Sequence, residues 1–358
     1  MSTVPSALWQ RIQASGLTTL AVMGMTKNTG KTVALNHLSA QAAGFGVALG
    51  VTSIGRDGED RDQVFFVPKP PVRVWPGTLV ATARDTLERA KVRYQMIDAT
   101  GIDSPMGEIL VLKVQGCGEM EIAGASRGSD QRQLIARLQQ CGAALVLLDG
   151  ALGRSHHASP SIADGVILAT GAAIGGSMAD VIRKTRDRLA ILGIAQADPA
   201  VSELCEPAFA MGGVGLWDSQ GDPLFFANIP TLNSAPALME YAQAAIQTIA
   251  VSGAVGRTLW HALMTLAAAR PGLRVVVSDG TKLFVDAADL LAFAQLGGRL
   301  LAQRAIHLTG ITLNPFSPLG GSFEATAFLV AARAAFAGYG VSDVVLEQMD
   351  KDQPQEMT

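Results

Sequence analysis

Charged side chains make up only 16% of this chain and aromatic ones 5%, against about 25% charged in an ordinary globular protein. The 28 basic and 31 acidic residues leave a formal charge of −3. That balance argues against a nucleic-acid partner and against an anionic membrane surface. Cysteine occurs three times, as Cys117, Cys141 and Cys205. No pair has zinc or redox spacing, and an odd number is a poor disulfide framework. Small buried apolar thiols are the expectation. No uncharged apolar run reaches the length of a membrane span; Ala143–Leu148 is strand-sized. The first residues, MSTVPSALWQRIQASG, carry no apolar h-region and no cleavage signal. A cytoplasmic protein without a membrane partner is therefore expected.

What the chain does have is apolar mass, 49% of 358 residues, enough for one large domain or two ordinary ones. Ala, Gly, Val and Leu dominate, a mixture that suits helices packed closely on a buried parallel sheet. Patterning predicts helices near 7–15, 31–42, 78–90, 129–141 and 178–192. Continuous apolar runs at 17–23, 46–53, 94–98, 143–149 and 165–170 predict buried strands. A hairpin is expected from 109–114 and 120–123. Beyond a composition shift near 195–210, a second hairpin at 214–217 and 224–227 precedes helices near 234–249, 257–269, 288–303 and 323–337. Strands are expected at 274–277, 306–313 and 344–346. The alternation predicts a doubly wound, mostly parallel α/β sheet. Its core should span 1–205, and a C-terminal α/β segment, 206–358, either follows it or extends the same sheet.

The most informative stretch is Gly24-Met-Thr-Lys-Asn-Thr-Gly30-Lys31-Thr32, set between a predicted strand and a predicted helix. Glycine lets successive N–H groups turn toward an anion, and the helix N-terminus adds partial positive charge. Lys31 would reach the β- and γ-phosphates, and the Thr32 hydroxyl would complete a Mg²⁺ shell. This predicts a P-loop NTPase core that contacts its nucleotide through Gly24, Lys27, Asn28, Thr29, Gly30, Lys31, Thr32 and Val33. The usual phosphate-loop pattern has four residues between its glycines, whereas five separate Gly24 from Gly30 here.

A phosphate loop needs a carboxylate at the end of a neighbouring strand. Leu145-Val-Leu-Leu-Asp149-Gly150 has that form, which makes Asp149 the candidate magnesium and catalytic acid beside Lys31. Asp98 ends another predicted strand and is a further candidate. The polar loop after Asp149 carries Arg154, His156 and His157; adjacent histidines in an extended segment point to opposite sides and cannot chelate one metal. The guanine-reading pattern [N/T]KxD is lacking. Thr281-Lys282-Leu283-Phe284 has no Asp at the required place, and Lys184-Thr185-Arg186-Asp187 falls inside a predicted helix. ATP is favoured over GTP.

The loop spacing resembles that of dethiobiotin synthetase, in the branch of P-loop proteins that also holds the MinD-like ATPases. Thr26 and Lys27 stand where that enzyme has Asp and Thr. The resemblance implies that an acid after the second strand, Asp57 in preference to Glu59 or Asp60, serves Mg²⁺ or water activation. It also implies that Asn314, in Ile311-Thr-Leu-Asn-Pro315, reads the adenine edge. Several phrases together, GMTKNTGKT, TSIGRDGE (52–59), ATGIDSPMGEI (99–109), LLDGALGRS (147–155), ASPSIADGVILATGAA (158–173) and ITLNP (311–315), resemble the P-loop subunit of the reactivating factor of lysine 5,6-aminomutase. This second resemblance implies a Mg-ATP-dependent regulatory ATPase; a homodimer is a separate expectation for the assembly of the chain. Its partners would be a MutS-related ATPase subunit and a cobalamin-dependent aminomutase. The loops at 54–63 and 150–160 would switch on hydrolysis. The alternative is a small-molecule ligase, in which Lys27, Arg56, Lys69 or Arg154 would hold an acid substrate beside the γ-phosphate.

Overall fold

The computed structural model describes residues 4–54, 71–150 and 159–347. The chain divides into two compact units, one of residues 1–185 and 307–358 and the other of 186–306. The first begins with α1 (Ala7–Ser15), β1 (Thr19–Gly24), α2 (Lys31–Gly44), β2 (Leu49–Ser53), β3 (Val72–Val74) and β4 (Leu79–Ala83). It continues with β5 (Tyr94–Ser104), β6 (Gly107–Val114), β7 (Gly118–Met120), α3 (Gly128–Gln140), β8 (Leu145–Asp149), β9 (Gly165–Gly171) and α4 (Met178–Leu192). The second unit contains α5 (Pro199–Met211), β10 (Val214–Trp217), β11 (Pro223–Ala227), α6 (Ser234–Glu240), β12 (Thr248–Val251), α7 (Arg257–Ala269), β13 (Arg274–Val277), α8 (Ala287–Gln295) and β14 (Arg299–Ala302). The chain then returns to the first with β15 (Leu308–Asn314), α9 (Ala325–Ala335) and β16 (Val341–Ser342).

The first unit is an α/β fold on a sheet of nine described strands, ordered β16-β15-β9-β1-β8-β2-β4-β6-β5. Pairing is parallel from β16 through β4 and antiparallel for β4/β6 and β6/β5. The central strands are buried along almost their whole length because helices cover both faces. Leu20, Val22, Leu49, Val51, Leu145 and Leu147 share one cluster with Leu8, Trp9 and Ile12 of α1 and Ala34, Leu35 and Leu38 of α2. The opposite face, at Gly50 and Val146, lies against Leu138 of α3. Such two-sided cover is what makes parallel strands read as unbroken apolar runs. Ser6 caps α1, its Oγ accepting from Trp9 N–H at 3.2 Å, and also lies 2.9 Å from His37 Nε2 of α2. His37 is thus a core residue that ties the two helices.

The second unit carries a five-stranded sheet, β11-β10-β12-β13-β14. Its last three strands are parallel, and β10 is antiparallel to both of its neighbours. Val214, Leu216, Ile249, Val251, Val275 and Val277 pack on Leu259, Leu263 and Leu266 of α7. Val201 and Cys205 of α5 pack on Ala250 and Val276, which point to the other face.

Several expectations are corrected. The boundary lies inside α4 and not at 205, and residues 307–347 rejoin the first unit because β15 pairs with β9. The composition shift near 195–210 coincides with α5. Residues 78–90 are not one helix: Leu79–Ala83 form β4, buried throughout between β2 and β6, and a 3-10 helix covers Arg84–Arg89. The hairpin is β5/β6, and β7 pairs instead with β3. The predicted helices 234–249 and 288–303 each end early, and each is followed by a strand, β12 and β14. Of the cysteines only Cys205 is buried; burial pushes its thiol up to about 12. Cys117 is exposed and Cys141 half-buried. Among the described residues no helix is long and apolar enough to cross a membrane.

Asp343, just past β16, is 1% exposed. Its Oδ1 accepts from the N–H groups of Val345 and Leu346 at 3.0 and 3.1 Å, while Oδ2 has no partner among the described residues. Burial raises its carboxyl above the usual range, and the two N–H bonds only partly oppose that. A raised folded-state value means that the stability is full below the unfolded pKa of about 3.9 and is lost as pH rises through the folded one. Asp343→Asn keeps an oxygen for both donors and removes the charge. At pH 7 the variant should melt about 1–2 °C above wild type, the shift that about 1 kcal/mol produces in a chain of 358 residues. The two melting curves should converge toward about pH 3. A gap that stays constant from acid to neutral pH would remove the buried charge as its cause.

Candidate functional site

The parallel strands β15, β9, β1, β8 and β2 end together, at Asn314, Gly171, Gly24, Asp149 and Ser53. The carboxyl edge of such a sheet is where α/β folds bind ligands. Past Gly24 the chain makes one more bond to β9, from Met25 N–H to the Ala169 carbonyl at 2.9 Å, before it turns into the loop.

The loop closes on itself. Thr29 Oγ1 donates to the Thr26 carbonyl at 2.9 Å. A Cβ on Gly24 would lie 2.7 Å from Thr29 Oγ1 and 2.9 Å from Cγ and Cδ of Lys31. Both side chains therefore fold back across Gly24, where alanine would displace them. Backbone φ alternates in sign over three residues. It is +61° at Asn28 and +90° at Gly30, whereas Thr29 between them is not left-handed. Alternation of this kind turns successive N–H groups to one side and forms an anion-binding nest.

Gly30 is also the residue before α2 and, having no side chain, makes no capping bond to the helix. The N-terminus of α2, with its partial positive charge, therefore lies directly beside the nest. Lys31 is the first helical residue and half-buried; Thr32, the second, is 7% exposed. Val33 follows on the exposed side of the turn.

Beside the loop, Asp149 closes β8 and is 4% exposed. It stands in register with Val22 of β1 and Ser53 of β2. Gly150 N–H donates to the Val22 carbonyl at 3.0 Å, and Ile54 N–H to the Asp149 carbonyl at 3.1 Å. The acid is therefore held between two strands, one of which leads straight into the loop. On the other side Asn314 closes β15. Its Nδ2 donates to the Asn28 carbonyl at 2.7 Å, and its Oδ1 accepts from Phe316 N–H at 3.2 Å.

Gly24, Lys27, Asn28, Thr29, Gly30, Lys31, Thr32, Asp149 and Asn314 thus gather at one edge of the sheet. Asp57, Glu59, Asp60, Arg56, Lys69, Arg154, His156 and His157 lie outside the described residues, as does most of the two expected switch loops. Asp98 does not belong to the site. It sits on β5, at the far edge of the sheet from β1, and pairs with Arg137 at 3.1 Å. Thr281 and Lys282 form a 3-10 turn of the second unit. Ser53 and Gly171 were not foreseen. Ser53 is buried next to Asp149, and a Cβ on Gly171 would meet the Asn314 carbonyl oxygen at 2.1 Å. A strand-ending glycine in ATGAA was the one signal for the second.

No protein-family model, curated protein or solved structure matches the chain. Among the described residues, no group of three or more His, Cys, Asp or Glu is placed to hold a metal ion.

Proposed function

We propose that the edge formed by β1, α2, β8 and β15 is a P-loop site for Mg-ATP, and that the chain is a regulatory ATPase acting on a partner enzyme. The observation that carries the reading is the conformation of the loop. An alternating nest at Asn28–Gly30 runs into the N-terminus of a helix whose first residues are Lys31 and Thr32. A buried carboxylate closes the adjacent strand. Nest, helix terminus and lysine together supply N–H groups and positive charge for a polyphosphate.

Magnesium fits this donor set. It dehydrates reluctantly and is usually held by one or two carboxylates together with substrate phosphates and waters, not by a protein cage. Thr32 would supply a hydroxyl, and Asp149 a carboxylate either directly or through water. The ion would neutralise charge developing on the transferred phosphoryl group. Lys31 would hold the β- and γ-phosphates, and the loop N–H groups would orient them.

The resemblance to the aminomutase reactivating factor supports a partner reading over a ligase. The proposed partners are a MutS-related ATPase subunit and a cobalamin-dependent aminomutase, with the cobalamin belonging to the client. Phosphate release from Mg-ATP, measured first with the chain alone and then with those proteins added, tests this. Slow release alone and a several-fold rise with the partners is the expected result. Release that appears only on addition of a small carboxylic acid would replace the regulatory reading with the ligase one.

A further inference from the structure

We infer that Asn314 is a positioning residue of the Gly24–Gly30 loop, setting its affinity for the phosphates of any nucleotide, and is not an adenine reader. The inference rests on the phosphate-loop reading above and deepens it.

Three contacts carry the inference. The Asn314 amide donates to the Asn28 carbonyl at 2.7 Å, across 286 residues of sequence. Asn28 is the only described residue other than glycine with positive φ. A Cβ on Gly30 would come within 3.1 Å of Asn314 Cβ, so Asn314 packs against both left-handed residues of the nest. The remaining polar atom of the amide is also engaged, since Oδ1 accepts from Phe316 N–H at 3.2 Å. Adenine recognition by an amide needs one donor and one acceptor on a free edge. Here one of the two Nδ2 hydrogens and one of the two Oδ1 lone pairs are already spent within the chain, so the fold and not a base sets the orientation of the amide.

Peptide geometry gives the bond its consequence. In a trans peptide the C=O and the next N–H point to opposite sides. By drawing the Asn28 carbonyl toward β15, Asn314 turns the Thr29 N–H away from β15, as the nest requires. It also holds Asn28 in a conformation that costs a side-chain-bearing residue free energy and that glycine adopts without penalty. Asn314 therefore acts through backbone N–H groups, which meet phosphate whatever base is attached.

The test is a calorimetric titration of the full chain with three probes, Mg-ATP, Mg-GTP and magnesium tripolyphosphate, which has no base. Wild type is measured first. If it binds none of the three, the phosphate-loop reading falls, and this inference with it. If it binds, Asn314→Ala should weaken all three by the same factor, about three- to tenfold for one lost hydrogen bond. The isosteric Asn314→Asp keeps an acceptor for Phe316 but sets an oxygen against the Asn28 carbonyl, and should lose at least as much on every probe. Asn28→Gly in the Asn314→Ala background should recover most of the tripolyphosphate affinity, a rescue that a general packing defect would not show. Loss confined to ATP would overturn the inference in favour of base reading. So would unchanged affinity in both Asn314 variants, or a double variant that binds tripolyphosphate no better than Asn314→Ala.

Discussion

Lys31→Ala is expected to weaken Mg-ATP binding about 100-fold while leaving the fold intact. A hydrogen bond to a charged group contributes about 1.5–3 kcal/mol, and its upper end corresponds to a factor of about 150. Lys31 belongs at that end because its carbons lie against Gly24, which restricts the side chain before any ligand arrives. The fold should tolerate the change because Lys31 is the first residue of α2, and alanine is the best helix former. The core beneath it is made by Ala34, Leu35 and Leu38, which the substitution does not touch. Titration of both proteins with Mg-ATP, alongside thermal melts, gives the answer. Equal affinity in the variant would make the lysine a surface residue of an ordinary turn and end the phosphate-loop reading.

Lys31 was also the easiest part of the site to read. Strand, glycine-flanked loop and helix are consecutive, so their order and the place of Lys31 at the start of α2 are legible in the local sequence. The same holds for α4 and α7, where a full helical period is visible and the predicted ranges 178–192 and 257–269 match the structure. The pattern at Leu79–Ala83 does not distinguish strand from helix, because a run buried on all sides has no period. Its strand state is set by β2 and β6, its neighbours in the sheet. The unit boundary failed for a related reason: nothing local to 307–313 says that β15 pairs with β9. Asn314 illustrates both sides. Its position at a strand end before Pro315 marked it as a candidate, but its bond to Asn28 joins residues from opposite ends of the chain. The left-handed backbone at Asn28 is hardly more legible, since asparagine enters that region more readily than most residues but still adopts it in a minority of cases.

Asp149→Asn is expected to leave Mg-ATP binding within about threefold of wild type and to slow hydrolysis about 10- to 100-fold, the usual cost of losing a group that orients a metal or its water. Binding should survive because loop N–H groups, the α2 terminus and Lys31 hold the phosphates, and none of them belongs to β8. Hydrolysis should not, because the transferred phosphoryl group develops charge that the metal and its oriented shell must meet. An amide of nearly the same shape fills the space but carries no negative charge. The fold itself gives little reason for alarm. The backbone carbonyl of Asp149 already accepts from Ile54, and Gly150 N–H bonds Val22, so both links to the flanking strands persist whatever the side chain. Single-turnover phosphate release, with affinity measured separately, distinguishes the two effects. A variant that hydrolyses at the wild-type rate would make Asp149 a buried strand-end residue, and the metal would have to be held from elsewhere on the edge. A variant that loses binding and hydrolysis in equal proportion would instead make it part of the framework that shapes the loop.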